Sequence, residues 1–321
     1  VSQTRSKAFF INGGAGRVLC SIPAFEKYYE ESGDKDFIIV CEGGTELYKG
    51  HPLLDSRSYD HWHKNLFKDK LKDMDVVSPE PYRVWEYYNQ KASLAQAFDI
   101  IINNKGIREL PNPVLHLSKE ELVNGGKLIS EVKEKLKKDK VIVFQPFGRG
   151  IQDANGVILD STGRSLEVDN VISLLKKFQD NNWAVVLFSE LKMNLTEAKL
   201  KEEIAQPEGA SLRLWAGIIK ASDLFVGCDS VGQHMAHLLE TPAVSILGST
   251  FPVNVSYPEN NIFKVVDLGE GSRQYAPIRI VMDEATDRNN EKLMYMTDDI
   301  EKYIMDICKK TIKSNPKGNN K

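Results

Sequence analysis

Short β-branched runs alternate along this chain with longer segments whose apolar residues recur at helical spacing, and few architectures accept that order. A parallel strand reaches its neighbour only through a crossover, and here the helical segments are long enough to be the crossovers. The pattern therefore predicts an α/β protein built on mostly parallel sheets. Two series are visible. The first runs through strand Ala8–Asn12, the turn Gly13-Gly14-Ala15-Gly16, a helix from about Val18 to Glu31, strand Phe37–Cys41, and strands near Val76–Val77 and Ile100–Ile102. Between them, His51 to Pro81 has no clear period and reads as loops and short elements near a cleft. A charged helix from about Lys127 to Lys138 closes the series. The second runs through strand Val141–Gln145, helix Leu166–Asn181, strand Ala184–Phe188, helix Thr196–Ala205, helix Trp215–Ala221, strand Leu224–Gly227, helix Gly232–Glu240, and strands Ala243–Leu247 and Phe263–Val266. The expected division is residues 1–138, residues 139–296, a C-terminal helix 297–313 capped by Thr297, and a frayed tail 314–321.

Composition narrows the function. Across 321 residues, 41% apolar and 27% charged content excludes a disordered, collagenous or coiled-coil chain. The 42 basic and 45 acidic residues leave a net charge of -3, so no global field draws the protein to nucleic acid. Apolar runs such as Trp183–Phe188 are far shorter than the roughly 20 residues that span a bilayer. The N-terminus reaches its glycine turn before a signal-length apolar run develops, so secretion is not expected. Cys20, Cys41, Cys228 and Cys308 are widely spaced in apolar surroundings and read as reduced core thiols of a cytoplasmic protein.

The most informative stretch is Leu224–Pro252. A strand ends near Cys228, Asp229 and Ser230 occupy the turn, Gly232 admits close backbone approach, and His234 falls in the first turn of a helix. The next strand ends in Gly248-Ser249-Thr250, a second small-residue turn on the same edge. A helix N-terminus with converging N–H groups is a ready site for an anion such as a diphosphate. The bland alternative is that Asp229 and Ser230 only cap the helix. Arg149, in a glycine-rich loop, is a second phosphate or acceptor contact or a solvated arginine. The segment Gly150–Gly163 is long enough to fold over a ligand as a lid.

The sequence Asp229-Ser230, His234, Ala236, Pro242, Gly248-Ser249-Thr250 and Pro252 resembles the C-terminal signature of glycosyltransferase family 9, the heptosyltransferase-like enzymes. Upstream, VIVFQPFG, Arg164-Ser165-Leu166 with Leu174, and Gly16, Pro23 and Ala24 near the N-terminus extend the resemblance from Lys7 to about Glu270. It implies a GT-B fold, two Rossmann-like βαβ domains facing each other across a cleft. It also implies an inverting, metal-independent glycosyltransferase with no cofactor. The nucleotide-sugar donor, by default an ADP-sugar, would lie on the C-terminal domain, and the acceptor, a glycan or lipopolysaccharide-type hydroxyl, mainly on the N-terminal one. Carried over residue by residue, Ser230, Val231 and Gly232 would contact phosphate. Asp229 and His234 would hold donor sugar or diphosphate, Arg164 would neutralise phosphate, and Glu190 would bind ribose.

The family's aspartate after the first-turn glycine is replaced by Arg17, and a guanidinium cannot be a general base. Glu42, Asp60, His61 and His63 are substitutes, and Arg17 instead would grip an anionic acceptor or the leaving phosphate. The glycine of the Asp229 turn also stands one place later than usual. Three other functions fit. A transferase acting on modified DNA bases would use Arg17, Arg149, Lys64, Lys68 and Lys70 as a basic groove. A non-catalytic nucleotide-sugar-binding protein fits the missing base. An NAD-dependent oxidoreductase fits Gly14-x-Gly16 followed by Glu42, although the third glycine of that fingerprint is Leu19. Of the remaining features, Trp85, Tyr87 and Tyr88 read as packing, and Lys133–Lys140 as a solvated helix face.

Overall fold

A computed structural model describes residues 5–148, 151–154, 157–160, 163–273 and 292–314. By internal contacts the chain divides into Val1–His116 and Leu117–Lys321.

In the first unit, β1 (Lys7–Ile11), β2 (Ile38–Cys41), β3 (Ser58–Asp60) and β4 (Asp75–Val77) form a parallel sheet in the order β3-β2-β1-β4. Helix α1 (Ala15–Glu31) follows β1 through the glycine turn. Its buried Phe25 and Tyr28 meet Phe9 of β1 with ring centroids 5.3 and 5.0 Å apart. Short α2 (Trp85–Tyr88) buries Tyr87 and exposes Trp85. The strand expected at Ile100–Ile102 is instead the end of helix α3 (Leu94–Asn103). Ser93 and Gln96 make a reciprocal capping box there, and Leu94, Ala97, Phe98 and Ile102 fall on one buried face. Capping chemistry and the 3.6-residue stripe outweigh the β preference of three consecutive isoleucines. Within the segment expected to hold loops and short elements, Ser58–Asp60 is a short strand paired with β2.

The second unit begins earlier than the expected boundary at 138/139. Helix α4 (Lys119–Leu136) packs against α6 (Leu212–Ala221), crossing at two glycines. A Cβ on Gly125 would lie 2.1 Å from the Gly217 carbonyl carbon, so only glycine lets the helices come this close. Beside the crossing, Arg213 Nε and Nη2 donate to Glu121 at 2.8 and 2.6 Å. The boundary therefore falls at His116–Leu117.

The sheet of this unit comprises β5 (Lys140–Gln145), β8 (Trp183–Leu187), β9 (Leu224–Gly227), β10 (Ala243–Leu247) and β11 (Phe263–Asp267). All are parallel, in the order β11-β10-β9-β5-β8. Ile142, Phe144, Val185, Val226 and Ile246 from these strands share a core with Leu174 and Phe178 of α5 (Val168–Asp180). The helix expected at Thr196–Ala205 reduces to one turn, Thr196–Ala198, stopped by Lys199 at φ 50°. The following chain runs along β8, where Ala205 donates to Val185 O and accepts from Leu187 N–H. Covering an exposed sheet edge outweighs helix propensity. Within Gly150–Gly163, β6 (Ile151–Ala154) and β7 (Val157–Asp160) form an antiparallel hairpin. Residues 150, 155–156 and 161–162 of that loop, and the tail beyond Ser314, lie outside the described residues.

Three helices complete the unit: α7 (Val231–Leu238), the single-turn α8 (Pro252–Val255) and α9 (Asp298–Lys313). Thr297 caps α9, as expected, accepting from Ile300 N–H. Buried Glu301 of α9 accepts from Asn170 Nδ2 at 2.7 Å and from Ser173, which fastens the C-terminal helix to α5. Among the described residues no helix is long and apolar enough to cross a membrane.

Each sheet has a point where strand order reverses, between β1 and β4 in the first unit and between β5 and β9 in the second. Open α/β sheets hold ligands outside the carboxyl ends of the strands at such a point.

Candidate functional site

At the reversal point of the second unit, β5 ends in Gln145 and β9 runs into Cys228-Asp229-Ser230. Gln145 bridges the two. Its Nε2 donates to Ser230 Oγ and its Oε1 accepts from Gly232 N–H, both at 3.0 Å. Ser230 is the N-cap of α7 by position, but its own side chain makes no capping hydrogen bond. The Gly232 amide expected at a phosphate is thus occupied by a side chain from another strand. Gly232 is glycine for the same reason, since a Cβ there would lie 2.2 Å from Gln145 Oε1 and 2.6 Å from the Phe225 ring.

Around this bridge, Arg164 and Asp229 come together, with Nη1 3.7 Å from Oδ2. Arg164 is held from behind by Asp160 at the end of β7, whose Oδ2 accepts from the N–H groups of Arg164 (3.1 Å) and Ser165 (2.9 Å). Asp229 is buried, and its other oxygen accepts from Gln233 Nε2 at 3.0 Å. His234, also buried, sets Nδ1 2.8 Å from the Tyr257 hydroxyl. Burial pushes its pKa down to about 4, against the pull of the Asp229 carboxylate. The ring is therefore neutral at neutral pH and offers hydrogen bonds rather than charge. Arg164, with about a quarter of its side chain exposed, is the cation of this cluster that solvent reaches.

Ser249 and Thr250, at the end of β10, are buried. Thr250 Oγ1 has no hydrogen-bond partner among the described residues. A Cβ on Gly163 would lie 3.9 Å from Ser249 Cβ, so the loop entering Arg164 and the β10 turn share one corner. Arg273 secures that turn, donating to Gly248 O at 2.6 Å and pairing with Asp267. Asp229, Ser230, Gly232, His234, Arg164, Ser249 and Thr250 thus belong to one end of one sheet, with Val231 opening α7 between them. Glu190 is exposed and follows the carboxyl end of edge strand β8, the neighbour of β5. Arg149 lies outside the described residues.

In the first unit, Gly14 is the N-cap of α1 and Gly16 lies in its first turn. Gly13, at φ +87°, donates its N–H to Glu42 Oε2 at 2.7 Å. Arg17 turns back over this glycine and is nine-tenths buried. Its guanidinium carbon lies 4.8 Å from the Tyr82 ring centroid and 5.7 Å from that of Phe98. Its Nη1 is 3.4 Å from Glu80 Oε1, while Nε and Nη2 have no hydrogen-bond partner among the described residues. A residue this enclosed contributes nothing to an open basic groove. Lys64 and Lys68 are exposed, and Lys70 lies over the Tyr59 ring. Of the substitute bases, Asp60 accepts from Thr45 Oγ1 at 2.5 Å, His61 Nδ1 faces Cys41 O at 3.3 Å, and His63 packs on Tyr59. Among the described residues no group of three or more His, Cys, Asp or Glu is placed to hold a metal ion.

Sequence inspection missed Gln145 and Glu80. Gln145 carries a signal in hindsight, a polar residue ending an otherwise apolar strand at a sheet centre. Glu80 carries a weaker one, a carboxylate between two prolines.

No protein-family model matches the sequence, and a comparison with curated proteins finds no match. Solved structures do match in fold. A glycosyl transferase family 9 protein from Veillonella parvula superposes with TM-score 0.67 at 11% identity, covering 98% of this chain and 99% of that one. E. coli ADP-heptose lps heptosyltransferase II gives 0.64 at 15% identity, with 96% and 98% covered. E. coli heptosyltransferase WaaC with ADP gives 0.54 at 11% identity, with 96% and 99% covered. The chain has the two-sheet α/β fold of these GT-B glycosyltransferases over nearly its whole length.

Proposed function

We propose that this protein is a glycosyltransferase that moves a sugar from a nucleoside-diphosphate donor to a hydroxyl acceptor. The observation that carries the reading is the convergence of Arg164, Asp229 and Ser230 at the strand-order reversal of the second unit, with the buried Ser249-Thr250 turn following the neighbouring strand β10. Support comes from the fold, shared with glycosyltransferases along almost the entire chain.

In the proposed reaction the acceptor oxygen attacks the anomeric carbon from the face opposite the diphosphate, which inverts the configuration there. The bond from that carbon to the β-phosphate oxygen breaks, and its electron pair leaves with the nucleoside diphosphate. Charge that builds on the phosphate is offset by Arg164 and by the positive end of α7, so no metal ion is required. Asp229 aligns Arg164 and offers acceptor oxygens to sugar hydroxyls. His234, neutral, contributes a hydrogen bond. Thr250, whose hydroxyl has no hydrogen-bond partner among the described residues, is a candidate phosphate or sugar contact. Ser249, Val231 and Gly232 shape the wall, and Glu190 is assigned to the ribose. Gly14 and Gly16 keep the first-unit turn small beside the acceptor. An ADP-sugar is the first donor to test, a glycan or lipopolysaccharide-type hydroxyl the acceptor class, and the cytoplasm the setting.

Thermal unfolding with ADP, GDP, UDP and their sugar conjugates tests the reading. One nucleoside diphosphate should raise Tm with the logarithm of its concentration. Arg164→Ala should remove that shift, and a chelator should leave turnover unchanged. Absence of any shift, with no sugar nucleotide consumed, would refute the proposal.

A further inference from the structure

Resting on the transfer reaction proposed above, we infer that Glu80 is the general base that takes the proton of the acceptor hydroxyl, with Arg17 as its positioning residue. A sugar hydroxyl is too weak an acid to ionise at neutral pH, so its attack needs a proton acceptor within hydrogen-bond reach. Arg17 is permanently charged and cannot serve.

Glu80 follows β4, beside the reversal point between β1 and β4, the ligand crevice of the first unit's sheet. Pro79 and Pro81 restrict its backbone on both sides. One carboxylate oxygen is bound twice: Oε1 accepts from Tyr82 N–H at 3.2 Å and lies 3.4 Å from Arg17 Nη1. Oε2 has no hydrogen-bond partner among the described residues, and about a quarter of the side chain is exposed. One oxygen is thus fixed and the other is open to a proton.

Arg17 is suited to hold this carboxylate rather than a ligand. It is nine-tenths buried, lies between Tyr82 and Phe98, and passes over Gly13, where a Cβ would sit 3.0 Å from its Cδ. Its fixed positive charge holds Oε1 in place by ion pairing and leaves Oε2 turned away from it. Glu42 is the rival. It lies on the other side of β1, at the end of β2, and commits an oxygen to Gly13 N–H. That oxygen is therefore already engaged by the backbone of the first turn. In the step assigned here, the proton of the acceptor hydroxyl passes to Glu80 Oε2 as the acceptor oxygen bonds to the anomeric carbon. The glycosyl–phosphate bond breaks at the same time, and its electron pair leaves on the nucleoside diphosphate.

The test follows nucleoside diphosphate release from ADP-heptose, ADP-glucose, UDP-glucose and GDP-mannose, with water or sodium azide as the nucleophile. Azide carries no proton, so it needs no base and yields the glycosyl azide. Glu80→Gln keeps the acceptor for Tyr82 N–H. It should keep its Tm, lose about a hundredfold or more of the water reaction, and retain azide transfer near the wild-type rate. Arg17→Met should behave in the same way, and Arg17→Lys should recover part of the water reaction. An unimpaired Glu80→Gln overturns the assignment, as does an equal loss with both nucleophiles, or the same selective loss in Glu42→Gln instead. Wild-type protein that consumes no donor with either nucleophile and is stabilised by no nucleoside diphosphate refutes the transfer reaction itself, and the assignment falls with it.

Discussion

Gln145 is the residue on which the second-unit site turns, because one amide satisfies both Ser230 and the first turn of α7. Gln145→Leu leaves a buried N–H and a hydroxyl unpaired and should cost about 1–3 kcal/mol, read by urea unfolding. Weaker stabilisation by nucleoside diphosphate should accompany the loss. His234 gives a pH dependence whose sign is determined. Its folded pKa is near 4 against an ordinary 6.5, so between those values the unfolded chain binds more protons. Stability is therefore full above about pH 6.5 and falls as pH drops toward 4. His237, also held near 4 by burial, adds in the same direction. His234→Gln should flatten this slope in unfolding measured from pH 4 to 7, and an unchanged slope would contradict the burial argument. At this scale the candidate site was partly legible in the sequence. The Asp229-Ser230 and Ser249-Thr250 turns were legible because turn chemistry is local. The partners Gln145 and Glu80 were not, because each is defined by a contact spanning tens of residues.

Helices α4 and α6 illustrate what one element does to another. Their glycine crossing leaves no room for a methyl group, since a Cβ on Gly217 would lie 2.4 Å from Glu121 O. Gly217→Ala should cost about 1–3 kcal/mol by overpacking. Gly126 is in the same helix as Gly125 but meets nothing within 4 Å. Gly126→Ala should therefore stabilise by about 0.5–1 kcal/mol, through helix propensity alone. Comparing the two unfolding midpoints separates close packing from propensity. The crossing also explains why the expected boundary at 138/139 moved to His116–Leu117. A charged amphipathic helix shows in sequence that it has one buried face, but not which unit buries it. Ile100–Ile102 and Thr196–Ala205 moved for related reasons. A capping box and a helical stripe claimed the first, and the unpaired edge of β8 claimed the second.

For the molecule as a whole, all four cysteines are free and buried, and burial holds the Cys41 thiol up at about 12. Ellman's reagent should therefore count no fast thiols in the native protein and all four after unfolding; a fast native thiol would contradict that burial. Alternation of β-branched runs and helical stripes determined the α/β class, the two series and the parallel sheets, because residue spacing alone decides which face of an element is apolar. Only the tertiary structure decided strand order, and with it the reversal points. It also decided that Arg17 lies against Glu80 and that Gln145 caps α7. Strand order and these pairings depend on contacts between residues far apart in the chain, and no local pattern of residues encodes which distant partner will satisfy a buried polar group.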